Sequence, residues 1–358
     1  MLTAITFPSL GIEIDPSPIA FTVFGKSIYW YGIIIACGFA LAVIYGLKRC
    51  DQFGLTQDNI LDMLIITVPM AIIGARAYYC IFNWELYADN PISVLYIWNG
   101  GLAIYGAVIA AILTVVIFAK VKKLKATAIL DIGALGLLIG QMIGRWGNFI
   151  NREAHGSETD SFLRMGLEDA SGVITYYHPT FLYESLWNLA GFILFHFLSK
   201  KRRYDGQVFL WYIAWYGLGR GFIEGLRTDS LYLAGTGLRV SQLLAFVSCL
   251  AAVAVLAFNA LAREHDERDL YVNVVAARAA AQAASDAATA DSTDCAAAEP
   301  LPGGQTDDSS ESEADCSYIS DDADHTETAS EIPEQNNPEN TPDEHPEDAS
   351  QLRKETEL

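Results

Sequence analysis

The sequence lacks most of the short signatures by which soluble enzymes are read. Its six cysteines, Cys37, Cys50, Cys80, Cys249, Cys295 and Cys316, are scattered and form no CxxC pair. Neither a zinc cluster nor a disulfide framework is therefore implied. It has no glycine-rich phosphate loop, no HExxH and no paired-aspartate metal motif, so the expected chemistry uses no cofactor, no metal and no ATP. The N-terminus has no basic region, its first charged residues being Glu13 and Asp15, and a cleavable signal peptide is not expected. Basic residues are also scarce at the far end. Residues 264–358 hold 4 Lys and Arg against 26 Asp and Glu, whereas residues 1–263 hold 19 against 17. The net charge of −20 thus belongs to a tail, and it argues against a nucleic acid partner.

What is abundant is apolar sequence. Hydrophobic residues make up 52% of the chain, and the mean hydropathy is +0.24 even with the polar tail included. Residues 1–263 are too apolar for a soluble enzyme domain. A helix needs about 20 apolar residues to cross the hydrocarbon core. Seven stretches qualify: 29–47, 60–82, 100–119, 127–144, 181–199, 207–225 and 240–262. The fold class expected is an all-α integral membrane protein with seven transmembrane helices.

Loop charges orient it. Lys48 and Arg49 follow the first stretch, Lys120, Lys122, Lys123 and Lys125 the third, and Lys200, Lys201, Arg202 and Arg203 the fifth. The intervening loops 83–99 and 228–238 have no Lys or Arg. The positive-inside rule then places the N-terminus outside and the C-terminus in the cytoplasm. The reading divides the chain into a membrane domain, 1–263, and a largely disordered acidic tail, 264–358. In that tail only Tyr271 and Tyr318 are aromatic, leaving little apolar surface to offset chain entropy. Residues 270–285 are a candidate helix at the membrane face.

The informative residues are those that break this charge rule. Arg76, Arg145, Arg220 and Arg227 lie in or at the ends of apolar stretches, all toward the outer side. An arginine at membrane depth costs about 2.5–3.5 kcal/mol on insertion scales and commonly marks a functional cavity. Tyr31, Tyr105, Asn148, Asn151, Glu153, His155 and His178 fall on the same side, with the asparagines, Glu153 and the histidines read as an outer loop, 145–180. Tyr216, Arg220, Glu224 and Arg227 recur at i, i+4, i+8 and i+11, which stacks them on one helix face. Glu224 can pair with either arginine there, as a structural ion pair or as part of a clamp for an anion. Guanidinium matches phosphate oxygens two at a time and stays charged at depth. The ligand expected is anionic and amphiphilic, such as a membrane phospholipid. These residues alone leave open whether it is a substrate or a transported solute.

From about residue 20 to 260 the chain resembles the prolipoprotein diacylglyceryl transferase family. The blocks that carry the resemblance run in order: WYG at 30–32, GAR at 74–76, WNGGLAIYG at 98–106, GRWGNFINRE at 144–153 with Gly156 following, HPTFLYE at 178–184, and YGLGRGFIEGLR at 216–227. The resemblance implies a bacterial inner-membrane enzyme with its active site toward the outer leaflet. It also implies the reaction: phosphatidylglycerol gives its diacylglyceryl group to the lipobox cysteine of a prolipoprotein signal peptide, and glycerol 1-phosphate leaves. Arg145 and Arg220 match the family's phosphate-handling arginines. Asn148, Asn151, Glu153 and Gly156 match the signature block, and Tyr31 matches the WYG tyrosine. Glu224 and Arg227 match a supporting acidic–basic pair. Arg76 and His178 belong to further matching blocks and are counted with the substrate-binding residues. The chain departs from the family at Tyr105, where many members carry His. A phenol, with an ordinary pKa of about 10, is a poor base at neutral pH. Either Tyr105 serves only as a hydrogen-bond donor, or the base is another group such as Glu153, or the thiol loses its proton to water. The mechanism favoured is electrostatic, with the arginines easing deprotonation of the thiol.

Overall fold

The computed structural model describes residues 4–169, 171–228 and 239–296, except the side chains of residues 99 and 290–296. The tail beyond 296 and most of the loop 228–238 lie outside the described residues.

Before the first helix come four strands: β1 (Ile5–Phe7), β2 (Ile12–Ile14), β3 (Ile19–Val23) and β4 (Lys26–Tyr29). Helix α1 (Trp30–Arg49) ends with Lys48 and Arg49 in its last turn, where cations offset the negative end of the helix dipole. Helix α2 (Gln57–Phe82) starts earlier than its apolar run. Thr56 caps it by accepting a hydrogen bond from the Asn59 N–H at 3.2 Å, and Asp58 sits in the first turn. Helix α3 is Ile104–Val121, and α4 is Ala126–Asn151. Two strands follow, β5 (Met165–Glu168) and β6 (Ile174–Tyr177). The remaining helices are α5 (Thr180–Leu198), α6 (Gln207–Glu224), α7 (Val240–Ala262) and α8 (Tyr271–Ala296).

Six of these helices, α1 to α5 and α7, are long and apolar enough to cross a membrane. Their large side chains face outward in quantity: Ile65 is 71% exposed, Phe82 69%, Leu250 69% and Leu261 88%. Such apolar surface would be a liability in water and is the ordinary exterior of a membrane protein. Helix α6, with Arg220, Glu224 and a glycine-rich second half, does not qualify on composition.

Helix α4 is the axis. It packs along α1, α5 and α6, while α2 pairs with α3 and α6 with α7. The α2–α3 contact is backbone to backbone. A Cβ at Gly106 would lie 2.3 Å from the Gly74 carbonyl oxygen, so two of the glycines in the sequence blocks are needed for packing and not for chemistry. The main core sits at the N-terminal end of α4, where Phe53, Leu55, Phe118, Ile129, Leu135, Leu138, Phe195 and Val208 are buried.

The strands correct the all-α expectation. β2, β1, β5 and β6 form an antiparallel sheet in that order, and β3 and β4 form a hairpin. Ile5, Phe7, Met165, Leu167 and Phe181 make a second, smaller core beneath the sheet, with Phe149 packed against it. The sheet thereby rests on the C-terminal end of α4 and the start of α5. The helix expected over 270–285 is α8. Its first N–H, from Tyr271, is accepted by the Asp205 carboxylate at 2.8 Å, and Leu270 and Tyr271 are buried.

Candidate functional site

The C-terminal turns of α4 build one wall of the site. The helix continues seven residues past the apolar stretch that ends at 144. Asn148 and Asn151 are thus helical residues, which corrects their placement in a loop. The helix closes at Arg152, which adopts a left-handed φ of 55° and returns its N–H to the Phe149 carbonyl at 3.1 Å. Arg145 and Asn148 lie one turn apart on the same face. Arg145 Nη1 donates to Asn148 Oδ1 at 3.3 Å, and Asn148 Nδ2 donates to Glu153 Oε1 at 2.8 Å. Asn151 Nδ2 reaches the same oxygen at 3.5 Å.

The opposite wall comes from α6. Arg220 Nη2 lies 2.5 Å from Glu224 Oε2, the i, i+4 pair expected from the sequence. Between the walls stands Glu184 on α5. Its Oε2 is 2.5 Å from Arg145 Nη2, and its Oε1 is 2.8 Å from Arg220 Nη1 and 3.9 Å from Arg227 Nη1. Three arginines thus converge on one carboxylate. Its side chain is 5% exposed, while those of Arg145 and Arg220 keep 23% and 18% exposure. Sequence reasoning misses Glu184. The available signal is a carboxylate inside an apolar stretch, at the end of HPTFLYE, which is as unusual at membrane depth as the arginines themselves.

Gly156 joins the walls. Its N–H donates to the His178 carbonyl at 2.9 Å, and it forms an isolated antiparallel bridge with Arg227. A Cβ there would lie 2.7 Å from that of His178 and 3.0 Å from the Leu226 carbonyl oxygen, so any larger residue would push the Arg227 segment away. Tyr31, in the first turn of α1, lays its ring against Gly147 of α4. It lines an open hollow of about 470 Å³ together with Ser27, Ile28, Tyr29, Gly32 and Asn151.

Three residues expected at the site have other partners. Arg76 is buried, and its guanidinium donates to the carbonyls of Val94 (2.7 Å), Gly100 (2.7 Å), Gly101 (3.0 Å), Ser93 (2.8 Å) and Tyr96 (3.4 Å). It holds the α2–α3 connection rather than facing the cluster. The His178 ring lies 3.3 Å from the Tyr183 hydroxyl, and no side chain caps α5. Tyr105 lies 3.4 Å from Ser241 Oγ, with its ring tilted against Tyr78. Among the described residues it shows no hydrogen bond or ion pair with the arginine cluster.

The arrangement can do one thing well. It presents fixed, partly exposed guanidinium groups to an anion, with two amides and a carboxylate beside them. No group of three or more metal-ligating side chains occurs among the described residues.

Comparison with known proteins agrees in extent with this geometry. Residues 18–258 match the family model described as prolipoprotein diacylglyceryl transferase. The chain is similar to three proteins named phosphatidylglycerol–prolipoprotein diacylglyceryl transferase. The one from Bacillus licheniformis is 44% identical over 254 residues, covering 69% of this chain and 94% of that protein. The one from Listeria welshimeri is 42% identical over 260 residues, covering 70% and 93%. The one from Enterococcus faecalis is 45% identical over 247 residues, covering 66% and 88%. The match takes in β3 to β6, α1 to α6, most of α7 and every residue of the arginine cluster, and the chain belongs to the prolipoprotein diacylglyceryl transferase family.

Proposed function

We propose that this protein transfers the diacylglyceryl group of phosphatidylglycerol to the lipobox cysteine of prolipoprotein signal peptides. The thiol loses its proton, and the thiolate sulfur forms a C–S bond to the glyceryl carbon. The bond from that carbon to the phosphate ester oxygen breaks, and its electron pair leaves with the phosphate as glycerol 1-phosphate. The observation that carries this reading is the convergence of Arg145, Arg220 and Arg227 on Glu184.

The charges suit the reaction. Within the cluster Arg145, Arg220 and Arg227 are gathered on Glu184, and Arg220 also pairs with Glu224. A phosphodiester brings one negative charge to such a site. During transfer the departing phosphate gains charge, toward −2 as a monoester. Positioned cations that meet developing charge are usually the largest catalytic contribution. Asn148 and Asn151 supply amides for headgroup oxygens, and Tyr31 supplies a hydroxyl at the edge of the hollow. Glu153, held by both amides, is the candidate acceptor for the thiol's proton. No cofactor or metal takes part.

The finer topology belongs to the same proposal. Helices α1 to α7 all cross the membrane, with the N-terminus outside and α8 and the acidic tail in the cytoplasm. α6 spans about 27 Å at 1.5 Å per residue, close to the thickness of the hydrocarbon core. The cluster then faces the outer leaflet of the bacterial inner membrane. The test mixes purified protein with radiolabelled phosphatidylglycerol and a lipobox peptide. Label is expected on the cysteine, and a Cys→Ser peptide is expected to stay unlabelled. Label on the serine peptide, or none on either, contradicts the reading.

A further inference from the structure

Glu184, on α5, meets an arginine from each neighbouring helix with one carboxylate. Arg145 belongs to α4 and Arg220 to α6, and two guanidinium groups brought together for one phosphate repel each other. A carboxylate on the third helix, with one oxygen on each arginine, fixes their separation before any ligand arrives. Its own backbone is firmly placed. The next residue, Ser185, donates to the Met142 carbonyl of α4 at 2.8 Å and accepts from Trp146 Nε1 at 3.2 Å. Glu184 therefore has little freedom to follow the arginines, whereas they have long side chains that can follow it.

We infer that Glu184 is the positioning residue of the phosphate site: it sets the geometry of Arg145 and Arg220 and offsets part of the positive charge they present. This rests on the transferase reading above. The two duties push binding and turnover in opposite directions. Removing the carboxylate's charge makes the cluster one unit more positive, so an anion binds more tightly. The same change releases the arginines from their productive spacing, and a misplacement of about 1 Å can cost about 10²-fold in rate. A carboxylate that merely stabilised the fold would lower stability, turnover and anion affinity together.

The experiment compares full-length wild type, Glu184→Gln and Glu184→Asp, each confirmed monodisperse. Two quantities are read: kcat for transfer from phosphatidylglycerol to a lipobox peptide, and the Kd for glycerol 1-phosphate from the ligand-induced shift in melting temperature. For Glu184→Gln the expected result is a kcat lower by about 10²-fold with glycerol 1-phosphate bound about fivefold more tightly, the size of one unit charge at about 4 Å in water. Glu184→Asp keeps the charge but draws it back, and is expected to retain the wild-type Kd with a kcat between the other two. Wild-type kcat in either variant overturns the inference. So does Glu184→Gln binding glycerol 1-phosphate no more tightly than wild type. The binding arm does not depend on turnover. An inactive wild type with tighter binding in Glu184→Gln defeats the transferase reading and leaves the charge-limiting role of Glu184 standing.

Discussion

The two ends of α4 each carry a buried charged cluster, separated by about 20 Å along the helix from Asp131 to Arg145. At the Asp131 end buried Asp205 pairs with Lys125 at 3.0 Å and Arg202 at 3.7 Å, and the other partners are backbone groups and neutral side chains. Asp131 is fully buried, and its two oxygens accept the N–H groups of Gly206 and Phe209, each at 2.8 Å, which caps α6 from a neighbouring helix. Arg202 donates to the carbonyls of Gln52 at 2.6 Å and Ser199 at 3.2 Å and lies over the Phe53 ring. Burial pulls its guanidinium below the ordinary value, and Asp131 and Asp205 pull it back. Arg49 is held by Tyr45, Gln52, Ser199 and the His196 carbonyl. At the Arg145 end the arginines are partly exposed and converge on shared carboxylates. Backbone partners fix a fold and cannot be traded for a ligand. An exposed cation whose partner is a shared carboxylate can take a phosphate. Exposure and the mix of partners, and not the presence of an arginine, separate the structural end from the one proposed to bind phosphate.

That contrast can be broken by mutation. The largest effect is expected for Arg145→Ala and Arg220→Ala, each lowering single-turnover transfer by about 10²–10³-fold, as for loss of one donor to developing charge. Both changes also leave a buried carboxylate short of a cation, so stability falls as well and the rate is read per folded molecule. Next is Arg202→Ala, which leaves Asp205 and Asp131 short of a cation. It should cost about 3–5 kcal/mol in denaturant unfolding while the transfer rate per folded molecule stays near wild type. A folded Arg202→Ala protein that is inactive would place chemistry at the wrong end. Arg76→Lys is intermediate, since an ammonium cannot serve five carbonyls at once. A loss of about 2–3 kcal/mol is expected, with faster proteolysis between residues 84 and 103 as the readout. Smallest is Tyr105→Phe, which removes a long hydrogen bond to Ser241 and should change kcat by no more than about threefold. A Tyr105→Phe enzyme as inactive as Arg145→Ala would give that hydroxyl a chemical role.

The long helices and one wall of the site are legible in the amino-acid order. Apolar runs locate the helices because hydrocarbon demands about 20 such residues in a row. The 3.6-residue period predicts the Arg220–Glu224 pair from spacing alone. The C-terminal end of α4 is not legible in the same way. Arg145 and Asn148 break the apolar run while leaving the helix intact, and helix ends are set by capping rather than by hydropathy. The sheet escapes because strands of three or four residues, paired between residues 5 and 177, leave no run long enough to register. Arg76 goes to the site on sequence because a wrong-side arginine looks the same whether it meets a ligand or a loop of carbonyls. Glu184 escapes because a search that follows cations alone passes over the carboxylate that gathers them.

The most direct test sets the two ends side by side. Arg220→Ala and Arg202→Ala are purified in parallel, and label transfer from phosphatidylglycerol to a lipobox peptide is measured per folded molecule. Per folded molecule, the account predicts an Arg220→Ala protein at about 1% of wild-type rate or less and an Arg202→Ala protein at near wild-type rate. Equal losses of rate in both, or the reverse order, would contradict it.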